Sequence, residues 1–530
     1  GLYSYQEDRT HNTFVSKDSI DENFIQFYNL GQSNASNNVK PVVTGGESTF
    51  SLISYMARVN YSYDDRYLLT LTGRLDGSSR LAPGKKYHEY PAISAGWNIS
   101  NESFWRSNKY VSNLKLRAGY GQTSNQSISP YSSLGLVSTY NGIGNQGSTG
   151  SIIRYNYGPT VVSGYAITSL PNPNLDWEYT KTVNIGLDFA LLNNRITGTI
   201  DWYNAKTFNI LYGITLPPTS GIVGQYLTNI GEMENKGLEI ALSSTNVTGR
   251  NGFSWSTDFN IFFNRNKLLK LTDNFTQNIA SQLFIGQPLS AIYDYKKLGI
   301  WQISEAAEAA KYGNLPGDIK LADISGPNGK PDGVIDPNND RTVIGSSQAK
   351  WQGGITNRFT YKGFDLSFVV YARYGGLLVS QLHQPFAAYA ALLNGNRNTI
   401  KVDYWTPNNP TNEFPSPTSM TRTRPIGTDL TTLGYYDASF VKLRSINLGY
   451  NFSNKIIKRI GAQTIRVYVT AQNPWVIYSP YMRAGGVDPE ATGTGSQGVQ
   501  NPGNLSSRAL TISASTPPTK AFLLGVNLNF

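Results

Sequence analysis

The sequence predicts an all-β chain, a transmembrane antiparallel β-barrel of about fourteen strands, on three grounds: its composition, its two-faced strands, and a regular alternation of short and long connections. In composition, hydrophobic residues make up 39% and charged residues only 15% of 530 residues, with 34 Tyr, 51 Gly and 26 Pro. Such a chain is rich in residues that pack on pleated surfaces and in residues that turn. No window approaches the roughly 18 consecutive apolar residues that a membrane-spanning helix needs, and one of the richest stretches, Phe386 to Leu393, is short and interrupted by Tyr389. A helical membrane protein is thereby excluded. A barrel escapes that test because only alternate residues face lipid, so a mean hydropathy of −0.33 is compatible with it.

The strand signal is clearest in three segments. Val183, Ile185, Leu187 and Phe189 alternate with Asn184, Gly186, Asp188 and Ala190, and Phe364, Leu366, Phe368 and Val370 alternate with Asp365, Ser367 and Val369. The third sets Phe522, Leu524, Val526, Leu528 and Phe530 against Leu523, Gly525, Asn527 and Asn529. Period two puts one oily and one mostly small or polar face on each strand. The same reading places strands near residues 1–15, 49–62, 66–77, 88–100, 112–122, 178–191, 195–210, 232–244, 252–267, 351–361, 363–374, 437–452, 464–473 and 520–530.

Connections between them alternate. Short ones fall at 63–66, 192–194, 244–252 and 361–363, with somewhat longer links at 101–111 and 453–463; long ones fall at 16–48, 123–177, 211–231, 268–350, 375–436 and 474–519. The link at 78–87 is the shortest of the long set. Any one strand also suits a soluble sandwich, but a sandwich has no reason to gather its long loops at one end. Membrane barrels do: periplasmic turns are short and extracellular loops long, which puts the C-terminus at the periplasmic side.

Charge and cysteine content add less. The net charge of +10 comes without the Lys/Arg run that tracks a phosphate backbone, so no nucleic-acid partner is expected; the charges belong to loops, lumen and anionic outer-membrane lipid. Cysteine is missing altogether, which permits passage through an oxidising compartment. The sequence opens at Gly1 with no basic-then-apolar leader and reads as strand from its first residues, so a longer parent chain is expected.

Specific strings then become recognisable. YDDRYLLTLTGRLDGSSR (Tyr63 to Arg80), LKLRAGYGQTSNQ (Leu114 to Gln126), PNPNLDWE (Pro171 to Glu178), NIGEMENKGLEIAL (Asn229 to Leu242), DRTVIG (Asp340 to Gly345), YKGFDLSF (Tyr361 to Phe368), DYWTPNNPTNEFP (Asp403 to Pro415), DASFVKLRSINLGY (Asp437 to Tyr450) and GGVDPEA (Gly485 to Ala491) run in order along nearly the whole chain. Together they resemble the SusC/RagA family of TonB-dependent outer-membrane transporters. The resemblance implies a barrel of about 22 strands preceded by a plug and a TonB-contacting segment. Residues 1–530 are then the C-terminal portion of such a barrel, with the plug not present in this chain. It further implies a Bacteroidota-type Gram-negative outer membrane, a SusD-like surface lipoprotein, the TonB complex as energy source, and an oligosaccharide or oligopeptide as cargo. A passive porin and a soluble β-rich adhesin or lectin are the competing functions; an upstream plug with a TonB-binding motif separates import from both.

Reactive groups are sparse. His11, His88 and His383 are scattered with no carboxylate or nucleophile at a recognisable spacing and read as solvated, so neither an enzyme nor a cofactor site is expected. The glycines from Asn141 to Gly150 lack the Gly-Lys-Ser/Thr ending of a phosphate loop. In DISGPNGKPDGVID, Asp323, Asp332 and Asp336 are the candidate ligands of a calcium-type ion, against the competing reading of a structural turn, because Lys330 falls where an acidic ligand belongs. Trp97, Trp202 and Trp255 read as interfacial belt or packing residues, while Trp301, Trp405 and Trp475 are the candidate loop aromatics for stacking on a sugar.

Alternation has a direct test. Leu187→Arg should destabilise the barrel by about 2–4 kcal/mol if it lies near mid-membrane, and Asp188→Asn should be nearly silent; equal tolerance in a lipid folding assay would refute the facing. The terminal Phe530 is expected to act as an assembly signal, and the last strand is expected not to pair with residues 1–15.

Overall fold

A computed structural model of the chain describes residues 1–16, 42–105, 110–138, 154–216, 218–222, 225–271, 275–279, 281–326, 328–384, 402–417, 429–453, 461–491, 508–512 and 518–529. The segments 386–393 and 141–150 and the residue Phe530 lie outside the described residues. Fourteen long strands form one sheet: β1 (Leu2–Ser16), β2 (Val42–Tyr63), β3 (Tyr67–Ser78), β4 (Tyr87–Asn98), β5 (Val111–Asn125), β6 (Glu178–Leu191), β7 (Ile196–Phe208), β8 (Glu232–Arg250), β9 (Phe253–Lys270), β10 (Trp351–Tyr361), β11 (Phe364–Tyr374), β12 (Phe440–Asn451), β13 (Thr464–Tyr478) and β14 (Ala521–Asn529). Each pairs antiparallel with the next in sequence, so the sheet is a meander with no crossover.

Register turns the period-two pattern into continuous rows. Leu116, Leu187, Ile200, Ile240 and Ile261 align across β5 to β9 on one face. One residue further, Arg117, Gly186, Asp201 and Glu239 align on the other. The first face carries exposed apolar side chains such as Val59, Leu71, Ile93, Leu116, Val183, Ile185, Leu448 and Val469. A face this apolar and this exposed belongs against hydrocarbon, and the opposite, ion-paired face lines the lumen. Tyr63 and Tyr67 stack at the short-turn end with ring centroids 6.5 Å apart, and Trp97 is registered on Tyr67, an outward aromatic group of the kind found at a membrane interface.

Strand boundaries differ from the sequence reading in two informative places. Strand β2 starts at Val42 rather than 49, because Val42 to Ser48 continue the ladder onto β1 (Ser16↔Val42, Asn12↔Gly46) despite two adjacent glycines. The link read at 244–252 shrinks to Asn251-Gly252, since β8 continues through polar residues to Arg250. Pairing with a neighbour extends a strand beyond the membrane, where its own side chains give no alternation. About 9–11 residues suffice to cross, and β2 has 22.

The two rims differ as the loop lengths predict. At one rim β8–β9 and β10–β11 are joined by two-residue turns with both central residues at positive φ: Asn251 at 54° and Gly252 at 78°, Lys362 at 45° and Gly363 at 91°. These are the type I′ conformations that match strand twist. At the other rim the connections are long and carry short strands of their own. The sheet is open: among the described residues β1 pairs only with β2 and β14 only with β13, so residues 1–15 and the terminal strand are not partners.

At Gly363 an added Cβ would sit 2.8 Å from Asn451 O as well as at an unfavourable φ. Gly363→Ala should therefore cost about 1–3 kcal/mol in urea unfolding from lipid vesicles. A wild-type midpoint would show that this turn does not constrain the hairpin.

Candidate functional site

The lumenal face is held by ion pairs between strands rather than by apolar packing. Arg117 on β5 donates from Nε and Nη2 to Asp188 on β6, both at 2.8 Å, and reaches Asp201 on β7 at 3.1 Å. Gly186 makes room for this triad, since a Cβ there would lie 2.6 Å from the Arg117 guanidinium carbon. Asp188 thus faces inward as expected but is not idle, and the silence expected of Asp188→Asn is corrected: the exchange removes one of the two charges that compensate Arg117. On the last strands Asp365 of β11 takes two hydrogen bonds from Arg466 of β13, at 3.0 and 2.6 Å, across the intervening β12. Bidentate guanidinium–carboxylate pairs fix geometry as well as charge.

Above this wall, at the long-loop rim, three loops fuse into a cap. Residues 271–350, 375–439 and 479–520 contribute Tyr295, Ile300, Ile319, Leu321, Trp405, Phe414 and Leu433 to one buried cluster and Leu378, Ala438, Tyr481, Ala491 and Ile512 to another. A small sheet joins the second loop to the third, with Leu377–Ser380 antiparallel to Tyr435–Asp437 and parallel to Thr511–Ile512. Asp294 accepts from Thr431 Oγ1 and Tyr435 Oη, both at 2.6 Å, tying the first loop to the second. Burial and the neighbouring Asp294 carboxylate hold the Tyr435 phenol well above the usual tyrosine range, so it stays a donor.

The cap is anchored to the wall by charge. Lys442 on β12, 1% exposed, pairs with Asp488 at 2.7 Å and Glu490 at 3.1 Å, and Arg444 pairs with Glu490 at 2.5 Å. These two strings, DASFVKLRSINLGY and GGVDPEA, therefore meet. The signal was in the sequence: cations at 442 and 444 share one strand face, and carboxylates at 488 and 490 repeat that spacing. A second group of strings meets near the other end of the sheet, where Leu81, Ala82, Leu175 and Trp177 form a buried cluster. Asp176 and Asn229 bond reciprocally there, Asn229 Oδ1 accepting from Asp176 N and Asn229 Nδ2 donating to Asp176 O, both at 2.7 Å.

The loop aromatics fall in different surroundings from those expected. Trp301 and Trp405 are 3% and 5% exposed: Trp405 donates to Gln302 at 2.9 Å, and Trp301 packs on Tyr312 under the Lys320 ammonium, so neither offers a free ring face to a sugar. Trp475 is exposed but lies on β13, not in a loop, registered on Leu443, whose neighbours Lys442 and Arg444 face inward; its ring belongs to the outward face. Of the strand tryptophans, Trp97 donates to Glu102 at 2.8 Å, Trp255 donates to Asn357 at 2.9 Å and stacks on Phe359, and Trp202 is partly exposed.

Asp323 accepts from Gly333 N at 2.8 Å, Asp332 from Val334 N at 3.0 Å and Asp336 from Asn338 N at 2.7 Å, so the three shape a loop. Its buried centre is Asp340, which the sequence reading missed and which accepts from Ile324 N and Asp336 N. Among the described residues no three His, Asp or Glu side chains gather as a metal-binding group. Nor is His383 solvated: it is fully buried, with Nδ1 2.7 Å from Ser380 Oγ and Nε2 3.1 Å from Ala484 O. His88 is half-buried against Gln122, and His11 is exposed beside Glu47.

An ion-paired lumenal face, an apolar outer face and a loop cap at one rim define part of the wall of a capped transmembrane β-barrel. Residues 3–318 match the family model described as TonB dependent receptor-like, beta-barrel. The chain is 31% identical over its whole length to TonB-dependent receptor P3 of Formosa agariphila, and 30% identical over 91% of its length to TonB-dependent receptor SusC of Bacteroides thetaiotaomicron. It superposes over its full length on the RagAB peptide importer in its open-open state, with a TM-score of 0.76 at 19% identity, covering 52% of that chain. The chain belongs to the TonB-dependent receptor β-barrel family, in its SusC/RagA branch, whose members are outer-membrane proteins. It spans about half the length of the curated relatives it matches, 50% of the first and 44% of SusC.

Two outcomes test the cap. Lys442→Met leaves Asp488 and Glu490 without their buried partner and should cost about 2–3 kcal/mol, below the full penalty because both carboxylates keep some contact with water; protease cleavage within 479–491 should accelerate. Burial holds His383 below its ordinary value of 6.5, only partly offset by the bond to Ala484 O. The unfolded segment therefore takes up a proton first, and the stability this contact gives is full above about pH 6.5 and is lost as pH falls through the folded value. Hydrogen-exchange protection factors in the second and third loops, corrected for the intrinsic pH dependence of amide exchange, should fall from pH 7.5 to 5, and His383→Gln should flatten that fall.

Proposed function

We propose that residues 1–530 form the C-terminal portion of the barrel wall of an active importer. In this reading TonB supplies the energy, a SusD-like lipoprotein sits over the long-loop rim, and glycans or peptides are the cargo. The long-loop rim then faces outward and the two-residue turns and the C-terminus face the periplasm, the asymmetry usual in such barrels. The observation that carries the reading is the cap: loops from three different hairpins share buried clusters at one rim, and the second and third of them share a small sheet. A passive pore needs no such built surface, whereas a receptor that receives cargo under a lid does. The open sheet edges agree, because unpaired N–H and C=O groups in hydrocarbon cost several kcal/mol each and further strands of the same barrel would satisfy them.

Uptake of fluorescent oligosaccharides and oligopeptides by cells expressing the full-length protein, measured before and after dissipating the proton-motive force, tests this. Uptake should stop when the force is dissipated. Uptake that continues unchanged would mean a porin, and binding without uptake a surface adhesin.

A further inference from the structure

Beneath the cap, where the inward faces of β9, β10 and β11 reach the long-loop rim, lies a cavity of about 350 Å³. Its lining includes Asn264, Ser347, Gln348, Gln352, Arg373 and Arg508. Register fixes the direction of the strand residues: Phe262 pairs with Gln352 and Gln352 with Arg373, all on the face that carries Asp258, Asp365 and the other lumenal charges. The cavity therefore opens on the lumen, not on lipid.

Two guanidinium groups meet there without a carboxylate. Arg373 Nη2 donates to Ser347 O at 2.5 Å; Arg508 Nη1 donates to Leu289 O at 2.9 Å and its Nη2 to Ser281 O. All of these acceptors are neutral carbonyls. Among the described residues neither arginine has an acidic partner, unlike Arg117 or Arg466 on the same wall. Among the described residues the Nε–H groups of both, and the Nε2 amide of Gln348, are buried with no hydrogen-bond partner, and Asn264 Oδ1 is a buried acceptor in the same position. Three orphan donors, two of them on permanent cations, and one orphan acceptor thus belong to side chains that line one cavity.

Arginine does not lose its proton on burial, so the cost of holding two uncompensated charges cannot be relieved by titration. It is relieved by an anion. A spherical halide offers nothing to Asn264; an oxyanion next to a donor is the chemistry that answers both kinds of orphan. We propose that this cavity receives a carboxylate of the transported oligomer, bound by Arg373, Arg508 and Gln348, with Asn264 accepting from a hydroxyl or N–H beside that carboxylate. An acidic sugar and a peptide with a free carboxyl group share this chemistry. The inference rests on the import reading and narrows its cargo to acidic oligomers, since a neutral one leaves both charges unmet.

The test is calorimetric binding to the full-length protein in detergent, with two matched pairs of probes. One pair is trigalacturonate and its methyl ester; the other is a tripeptide with a free C-terminal carboxylate and its C-terminal amide. At least one acid should bind about tenfold or more tightly than its neutral twin, the usual worth of a charge-assisted bond made in a desolvated site, and the pair that discriminates names the source. Arg508→Gln should remove that preference, and so should Gln348→Glu, which keeps the shape of the side chain and reverses the field; an unchanged melting temperature for Gln348→Glu excludes unfolding as the cause. If neither pair discriminates, a carboxylate of the same polypeptide already fills the cavity or no anion does, and the proposal is overturned. It is equally overturned if both variants keep the preference. Uptake that needs the proton-motive force but ignores substrate charge leaves the import reading standing and removes this site, while charge-selective binding without uptake does the reverse.

Discussion

Every part of this chain answers to one constraint, that a backbone N–H or C=O facing hydrocarbon must have a partner. A chain that crosses lipid as strands can meet it only through neighbouring strands, so each of β2 to β13 is bonded on both sides and the meander order follows from the shortest way of doing so. Antiparallel pairing in turn forces successive residues to opposite faces. The row of Leu116, Leu187, Ile200, Ile240 and Ile261 and the neighbouring row of Arg117, Gly186, Asp201 and Glu239 are two results of the same pairing.

That constraint explains which features were legible in sequence. Strands whose two faces meet different solvents, such as 183–190 and 364–370, show their period directly, and all fourteen were found. Where both faces meet water the alternation fades: Val42 to Ser48 and Thr245 to Arg250 are strands only because β1 and β9 hold them, and they were read as loop. The turn at Lys362-Gly363 was legible as a short link at 361–363, while the Asn251-Gly252 turn lay inside a link read as 244–252 because the strand before it loses its alternation.

The cap was much less legible, for a physical reason. Its contacts join residues far apart in sequence, as Tyr435 joins Asp294 and Arg508 joins Leu289, and no local period encodes them. Trp301, Trp405 and His383 look like surface residues in sequence; Trp405 and His383 are buried against a second loop, and Trp301 against Tyr312 and Lys320 of its own. Asp323, Asp332 and Asp336, which sequence left open between a turn and a ligand set, each accept from backbone N–H groups near them, as turn-shaping carboxylates do. Arg373 and Arg508, which meet no acid among the described residues, lie 135 positions apart in sequence and only the fold sets them around one cavity.

The long span of the cap contacts has a consequence for assembly. Arg508 bonds to Leu289 across 219 positions and Thr431 to Asp294 across 137, separations that a free chain closes only at a large entropic loss. Once β9 to β13 are in register, the ends of the three loops are held side by side and most of that loss has already been met. The cap therefore forms late, on a wall that is already standing, and contributes little to the rate at which the wall itself is built. Lys442 is where the two stages touch: a residue placed by the strand waits for two carboxylates that arrive with the last loop. During that interval the chain is a complete stretch of wall carrying an uncovered cation and an unpacked rim, which is the state that folding assistants and proteases at the outer membrane would meet.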